Sequence, residues 1–130
     1  MTARVFSSGD QSGKNPHWYW RKGLHDAEIT HVDIKENPMD FRQRTSLILH
    51  LDSSQAMFDT DVTAIELRNF KILLDESSFG GYPDSGISGC YWMQDVLTWD
   101  KGKYILDIAL LGEDDFHFVI RFEDAQVHRK

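Results

Sequence analysis

The last third of the chain alternates apolar and polar residues with a period of two, in three runs at about 90–99, 103–111 and 116–124. Such alternation is typical of β-strands, because successive side chains of a strand point to opposite faces of the sheet. Asp100-Lys101-Gly102 and Gly112-Glu113-Asp114 separate the runs and are typical hairpin turns. The three runs therefore predict an antiparallel meander.

The hydrophobic pattern also predicts the register of the meander, since a slip by one residue would scatter apolar side chains over both faces. A three-residue turn at 100–102 pairs Trp99 with Lys103, Val96 with Leu106 and Trp92 with Leu110. A turn centred on Glu113 pairs Leu110 with Phe116, Ile108 with Phe118, Leu106 with Ile120 and Tyr104 with Phe122, and it brings Lys103 opposite Glu123. The predicted core face consists of Trp92, Val96, Tyr104, Leu106, Ile108, Leu110, Phe116, Phe118, Ile120 and Phe122.

Three earlier segments also have strand character, at about 27–36, 46–51 and 62–74. The first shows a phase slip near His31. The third changes parity between Leu67 and Phe70, and this change predicts a β-bulge. The fold class is therefore predicted to be mainly β, an antiparallel sandwich or strongly curled sheet of about six strands with the meander at its C-terminal end.

The chain is predicted to form one domain after a short arm, because 130 residues are too few for two ordinary domains. Residues 1–16 are small and polar and predict a flexible N-terminal arm, and residues 17–130 predict a single all-β domain. Asn15 and Gly23 flank a segment that predicts one short helical turn through Trp20 to Lys22. The glycine-rich stretch 75–89 predicts a long flexible loop.

Charge and composition exclude several classes of partner. The chain has 14 Lys and Arg against 21 Asp and Glu, a net charge of −7, which argues against nucleic acid binding. No apolar run approaches the ~20 residues of a membrane helix, and the N-terminus lacks a secretory apolar region, so we expect no membrane association and a cytoplasmic location. Cys90 is the single cysteine, which excludes an internal disulfide and fits a reducing compartment.

The second face of the predicted meander is too apolar for a solvated sheet face. In the predicted register it carries Tyr91, Met93, Leu97, Trp99, Ile105, Ala109 and Val119, mixed with Asp95, Asp107, His117 and Arg121. We therefore expect this face to be covered, either by the Trp18–Trp20 segment, by the loop 75–89, or by another protein chain.

Asp95 and Asp107 lie opposite each other in the predicted register, where like charges repel unless a cation lies between them. Arg121 is diagonal to Asp107 and can bridge a carboxylate. The pair is open to three interpretations: a salt-bridged surface, an acidic spot near His117 that binds a partner or a metal, or a general acid–base pair.

The other titratable residues form no recognisable catalytic motif. His25-Asp26 is open to a base or ligand role and to a structural role, with Asp26 accepting backbone hydrogen bonds. No nucleophile elbow, P-loop, calcium loop or transition-metal ligand spacing is present. We therefore expect a protein that is not an enzyme and that holds no metal or cofactor.

Aromatic residues are the most distinctive part of the composition. Trp18, Trp20 and Tyr82 lie outside the predicted strands, in the N-terminal segment and in the glycine-rich loop. Exposed aromatic rings stack on sugars or bases, but aromatic residues are equally typical of protein interfaces and cores. Core packing, subunit contact and a ligand platform all remain open for these three residues.

The stretch GLHDAEITHVDI at 23–34, followed by SLILHLDSS at 46–54, resembles a small uncharacterised family of bacterial all-β domains. Members open with a Leu/Phe-His-Asp-x-x-Ile strand followed by a Leu-x-Leu strand, and some are grouped with immunity-type proteins encoded near toxins. The resemblance implies a bacterial cytosolic protein, and it implies no catalytic residues. An acidic domain fits an immunity role, since charge complementarity speeds capture of a basic toxin.

These observations predict a non-catalytic protein-binding module that acts through a sheet face, either immunity-type or self-associating. The alternative is a small-ligand or carbohydrate module built from the aromatic residues and the loop 75–89. The candidate binding residues are Trp18, Trp20, Tyr82, Met93, Asp95, Leu97, Trp99, Asp107, His117 and Arg121.

Overall fold

The computed structural model describes residues 4–6, 16, 18–20, 23–35, 46–57, 60–75, 87–112 and 115–130. Nine strands run through these residues: β1 (Arg4–Phe6), β2 (Glu28–Lys35), β3 (Ser46–Asp52), β4 (Val62–Arg68), β5 (Lys71–Asp75), β6 (Tyr91–Asp100), β7 (Lys103–Leu111), β8 (Asp115–Phe122) and β9 (Asp124–Arg129). The described ranges contain no helix, and so none that could cross a membrane.

All nine strands belong to one antiparallel sheet, in the order β5-β8-β7-β6-β2-β3-β4-β9, with β1 paired to β6. The prediction of a mainly β fold is confirmed. The sheet is single and is not closed, so the predicted sandwich is not confirmed. The count exceeds six because 62–74 divides into β4 and β5, because β9 continues after β8, and because Arg4–Phe6 in the predicted arm form β1.

The predicted helical turn near the N-terminus is not confirmed. Trp18–Trp20 lie in a turn in which the Tyr19 amide donates a hydrogen bond to the Pro16 carbonyl at 3.0 Å. Residues 21–22, which the predicted helical turn included, lie outside the described residues. Most of the predicted flexible loop, residues 76–86, lies outside them too.

Two long stretches of chain bend together at one corner of the sheet. Asn69, between β4 and β5, has a positive φ of 52° and donates from Nδ2 to Glu123 Oε2 at 2.8 Å. The Glu123 amide, between β8 and β9, donates to the Arg68 carbonyl at 3.0 Å. On one side of the corner β4 pairs with β9, and on the other β5 pairs with β8. The parity change between Leu67 and Phe70 is this corner between two strands, so the predicted β-bulge within one strand is wrong.

The predicted register of β7 with β8 is confirmed in all four pairs, Tyr104 with Phe122, Leu106 with Ile120, Ile108 with Phe118 and Leu110 with Phe116. The Lys103 ammonium also forms the predicted ion pair with Glu123. The apolar pattern decides this register because both strands bury the same face against the core.

The predicted register of β6 with β7 is correct at Trp92–Leu110 and wrong nearer the turn. The turn has two residues, Lys101 and Gly102, with φ of 54° and 80°, instead of three. It pairs Asp100 with Lys103, Trp99 with Tyr104 and Val96 with Asp107. A bulge between Trp92 and Gln94 absorbs the extra residue, so the two registers agree again beyond it.

The bulge exchanges the faces predicted for the middle of β6. Val96, predicted in the core, is 43% exposed, whereas Leu97, predicted on the second face, is 0% exposed and lies in the core. Asp95 pairs with Ile108, so it does not lie opposite Asp107 as predicted. Trp99 shares the strand parity of Leu97 and is half-buried.

The core lies against the inner face of the sheet and includes the N-terminal aromatic residues. Trp20 and Trp92 pack edge to face with ring centroids 5.4 Å apart, and Trp18 packs against Tyr104 and Phe122 at 5.2 Å and 5.7 Å. Aromatic pairs prefer this edge-to-face arrangement, in which a positive ring edge meets a negative ring face. The segment around Trp18 therefore covers part of the inner face of the sheet.

Candidate functional site

The outer face of β5, β8, β7 and β6, on the side away from the core, is the candidate site. It carries Lys71, Leu74, Val96, Thr98, Ile105, Asp107, Ala109, His117, Val119 and Arg121. One row crosses all four strands as Leu74, Val119, Asp107 and Val96, each paired with the next. Leu74 and Val96 are each 43% exposed. A carboxylate thus lies in an otherwise apolar row.

Asp107 and Arg121 are the central charges of the outer face. Asp107 pairs in register with Val119, and Arg121 pairs with Ile105, so the two charged residues lie diagonally across β7 and β8. Within the described ranges neither side chain makes an ion pair, although seven such contacts form elsewhere. Two opposite charges thus lie close together on a half-apolar surface.

Asp95, a predicted binding residue, lies on the inner side of β6. Its Oδ1 accepts a hydrogen bond from the Tyr19 hydroxyl, and its Oδ2 accepts from the indole N–H groups of Trp20 at 3.2 Å and Trp92 at 2.9 Å. Burial raises the pKa of Asp95, while the hydrogen bonds from Tyr19, Trp92 and Trp20 oppose this rise. Asp95 thereby holds the N-terminal aromatic segment to β6.

His25 and Asp26 hold the chain against the bulge of β6. His25 Nδ1 lies 2.7 Å from the Met93 carbonyl, and the Asp26 amide donates to the Trp92 carbonyl at 2.7 Å. A carbonyl only accepts, so His25 carries its proton on Nδ1. Asp26 has a positive φ of 69°, which aspartate tolerates better than most residues. Both contacts reach β6 across more than 60 residues and fit a structural role for the motif, although Asp26 takes part through its donating amide and not through backbone hydrogen bonds accepted by its carboxylate, as predicted.

A cluster on β2 and β3 was missed from the sequence. His31 and His50 are direct cross-strand partners, and their Nε2 atoms lie 2.9 Å and 2.8 Å from the two carboxylate oxygens of Asp33. The hydrogen bond from His50, followed by that from His31, lowers the pKa of Asp33. A bulge between Ile29 and His31 produces this pairing. The phase slip near His31 was its only signal in the sequence.

The structure separates the predicted site residues into three groups. Asp107, His117 and Arg121 come together on the outer face. Trp18 and Trp20 are buried, Asp95, Leu97 and Trp99 lie on the inner side of β6, and Met93 occupies the bulge. Tyr82 lies outside the described residues. Leu74, Val96 and Val119 complete the outer face. The sequence predicts Val96 on the opposite face, and its pattern does not indicate Leu74 as part of the site.

No group of three or more His, Cys, Asp or Glu side chains in the described part of the chain is arranged to hold a metal ion. Comparison of the chain with family models, with curated proteins and with solved structures found no match.

Proposed function

We propose that the protein is a non-catalytic protein-binding module that acts through its outer face. The observation that carries this proposal is the row of Leu74, Val119, Asp107 and Val96, in which a carboxylate that makes no ion pair with any described residue lies among three apolar side chains. Protein interfaces combine such apolar side chains with a few well-placed charges. The chain supplies both on one continuous, four-stranded surface.

The rival function, a ligand module that stacks sugars or bases on aromatic rings, has less support. Stacking requires a ring face open to solvent. Trp20 is 0% exposed, and Trp18 packs its ring against Tyr104 and Phe122. Two of the three rings proposed for that platform thus serve the core.

The proposal is tested by photo-crosslinking from single positions, in the cells that natively make the protein. A photoreactive amino acid replaces Val96 on the outer face or, as the matched control, Ile34 on β2, which is 44% exposed against 43% for Val96. We expect a discrete protein adduct from position 96 that is absent from position 34. Equal adducts at both positions, or none from position 96, would overturn the proposal.

A further inference from the structure

We infer that the partner of the outer face is a second copy of the same chain, packed face to face so that Asp107 of each copy contacts Arg121 of the other. This inference rests on the proposed function and names its partner.

The charge of the outer face differs from that of the whole chain. The chain carries a net charge of −7. The outer face has three cations, Lys71, Lys103 and Arg121, against three anions, Asp100, Asp107 and Asp115, which lies at its margin. A face that had to capture a basic protein would concentrate negative charge, because association is steered by the local potential. A balanced face is instead complementary to itself.

The four central residues form a quadrilateral that suits a two-fold axis. Ile105 is paired with Arg121, and Asp107 is paired with Val119 on the next outward-facing positions. Asp107 and Arg121 occupy one diagonal, and Ile105 and Val119 occupy the other. Diagonal neighbours of this kind are roughly 7–8 Å apart. The two charges therefore lie close enough for one partner molecule to contact both.

A two-fold axis between the two faces, parallel to the sheets and along the Ile105–Val119 diagonal, produces the proposed contacts. It brings each Asp107 over Arg121 of the second copy, and it brings Ile105 and Val119 over their own equivalents. Symmetric interfaces work in this reciprocal way, with residue i contacting j and residue j contacting i. This arrangement thus forms two Asp107–Arg121 ion pairs between the copies and buries Ile105 and Val119 at the centre of the interface.

Charge reversal with complementation tests the inference, read out as molar mass by light scattering on purified full chain. Asp107→Arg alone places arginine against arginine, and Arg121→Asp alone places aspartate against aspartate. Each single variant is expected to raise the dimer dissociation constant by about 100-fold or more, because like charges then face each other twice. An equimolar mixture of the two variants is expected to restore a dimer, since each copy then supplies the charge that the other needs.

Lys35→Glu on β2 is the matched charge reversal away from the outer face and should leave the dimer intact. Near-ultraviolet circular dichroism checks that each variant is folded. If a single reversal does not fold, Asp107→Asn and Arg121→Gln replace the pair, and both should weaken the dimer. A monomeric wild type at the highest soluble concentration, or reversals without effect on the dimer, would overturn the inference. Failure of the mixture to restore a dimer would also overturn it.

The crosslinking from position 96 separates this inference from the proposed function. An adduct that contains only peptides of this chain supports both. An adduct with a different protein overturns the inference and leaves the proposed function standing. The absence of an adduct overturns both.

Discussion

The hydroxyl of Tyr19 donates a hydrogen bond to Oδ1 of Asp95, which lies 76 residues further along the chain. The other carboxylate oxygen accepts from two indole N–H groups, of Trp20 and Trp92. The two sides of the carboxylate differ chemically, because a hydroxyl donates or accepts whereas an indole N–H only donates. A neutral side chain with one acceptor and one donor therefore fits the same place.

Asp95→Asn is expected to fold at least as stably as the wild type at neutral pH. The amide oxygen can accept from both indoles, and the amide N–H₂ group can donate to the Tyr19 hydroxyl. Asp95→Leu should destabilise the fold by about 1–3 kcal/mol for each indole N–H left without an acceptor in the core. Urea unfolding compares the three proteins. Equal stability of the Leu and Asn variants would contradict this account.

The same carboxyl gives a pH dependence of known sign. Burial raises the folded-state pKa of Asp95 above its ordinary value of 3.8, so the folded chain keeps the proton to higher pH than the unfolded chain. Its contribution to stability is therefore complete below that value and is lost as pH rises through the raised pKa. The free energy of unfolding of the wild type should fall relative to that of Asp95→Asn over this window. If the free energy of unfolding of the wild type, relative to that of Asp95→Asn, stays constant or rises over this pH range, the predicted direction of the pH dependence is wrong.

The β6–β7 turn should respond in opposite directions to two substitutions. Lys101 and Gly102 both have positive φ, at 54° and 80°. Asn-Gly is the favoured sequence for such a turn, so Lys101→Asn should stabilise the fold by about 0.5–1 kcal/mol. Gly102→Ala should destabilise it by about 1 kcal/mol through backbone strain alone, because no atom lies within 4 Å of the added methyl. Thermal unfolding measures both, and two shifts of the same sign would contradict the turn geometry.

Asn69 at the corner combines a positive φ of 52° with a side-chain hydrogen bond to Glu123. Asn69→Gly keeps the backbone conformation accessible and loses only the hydrogen bond, for about 0.5–1.5 kcal/mol. Asn69→Val also places a β-branched residue in the left-handed region and should cost at least about 1 kcal/mol more. Chemical denaturation compares the two, and a valine variant as stable as the glycine variant would refute a strained corner.

The carboxyl of Asp33 should titrate below the usual range for aspartate. The hydrogen bond from His50 is the largest cause of the lowered pKa. Burial opposes it, and the hydrogen bond from His31 comes next and lowers the pKa further. His50→Gln should therefore raise the pKa of Asp33 more than His31→Gln does, as followed by carbon NMR of the carboxyl group. The lowered pKa means that this interaction favours folding above the ordinary aspartate pKa and is lost as pH falls through the folded value. An Asp33 pKa that is unchanged in His50→Gln would contradict the assignment.

The parts of the fold that the sequence predicts are those where a local signal repeats. The register of β7 with β8 follows from the apolar alternation along both strands. The bulge in β2 is indicated by a break in the alternation of β2 itself, near His31. The β6 register failed because Lys101 adopts a conformation that lysine rarely takes, and because the bulge after Trp92 has no glycine or proline to mark it.

The candidate site was only partly predictable for a related reason. Asp107, His117 and Arg121 keep their face because β7 and β8 keep their register. Asp95 lies on the inner side because the bulge reverses the parity of β6. Its hydrogen-bond partners Tyr19 and Trp20 are far away in the sequence, and apolar periodicity does not indicate contacts between distant residues. The pairing of His31 with His50 likewise required the three-dimensional register of β2 with β3.

The corner at Asn69 and Glu123 has a consequence for the order in which the chain folds. Hairpins such as β6–β7 join neighbours in sequence, whereas Arg68 and Asp124, which meet beside the corner, are 56 residues apart. Closing so long a loop costs more entropy than forming a hairpin, so these contacts are expected to form after the rate-limiting step. Changes at the corner should then accelerate unfolding while leaving the refolding rate nearly unchanged. The contacts at this corner, which join the first and second halves of the chain, would thus set the lifetime of the native state.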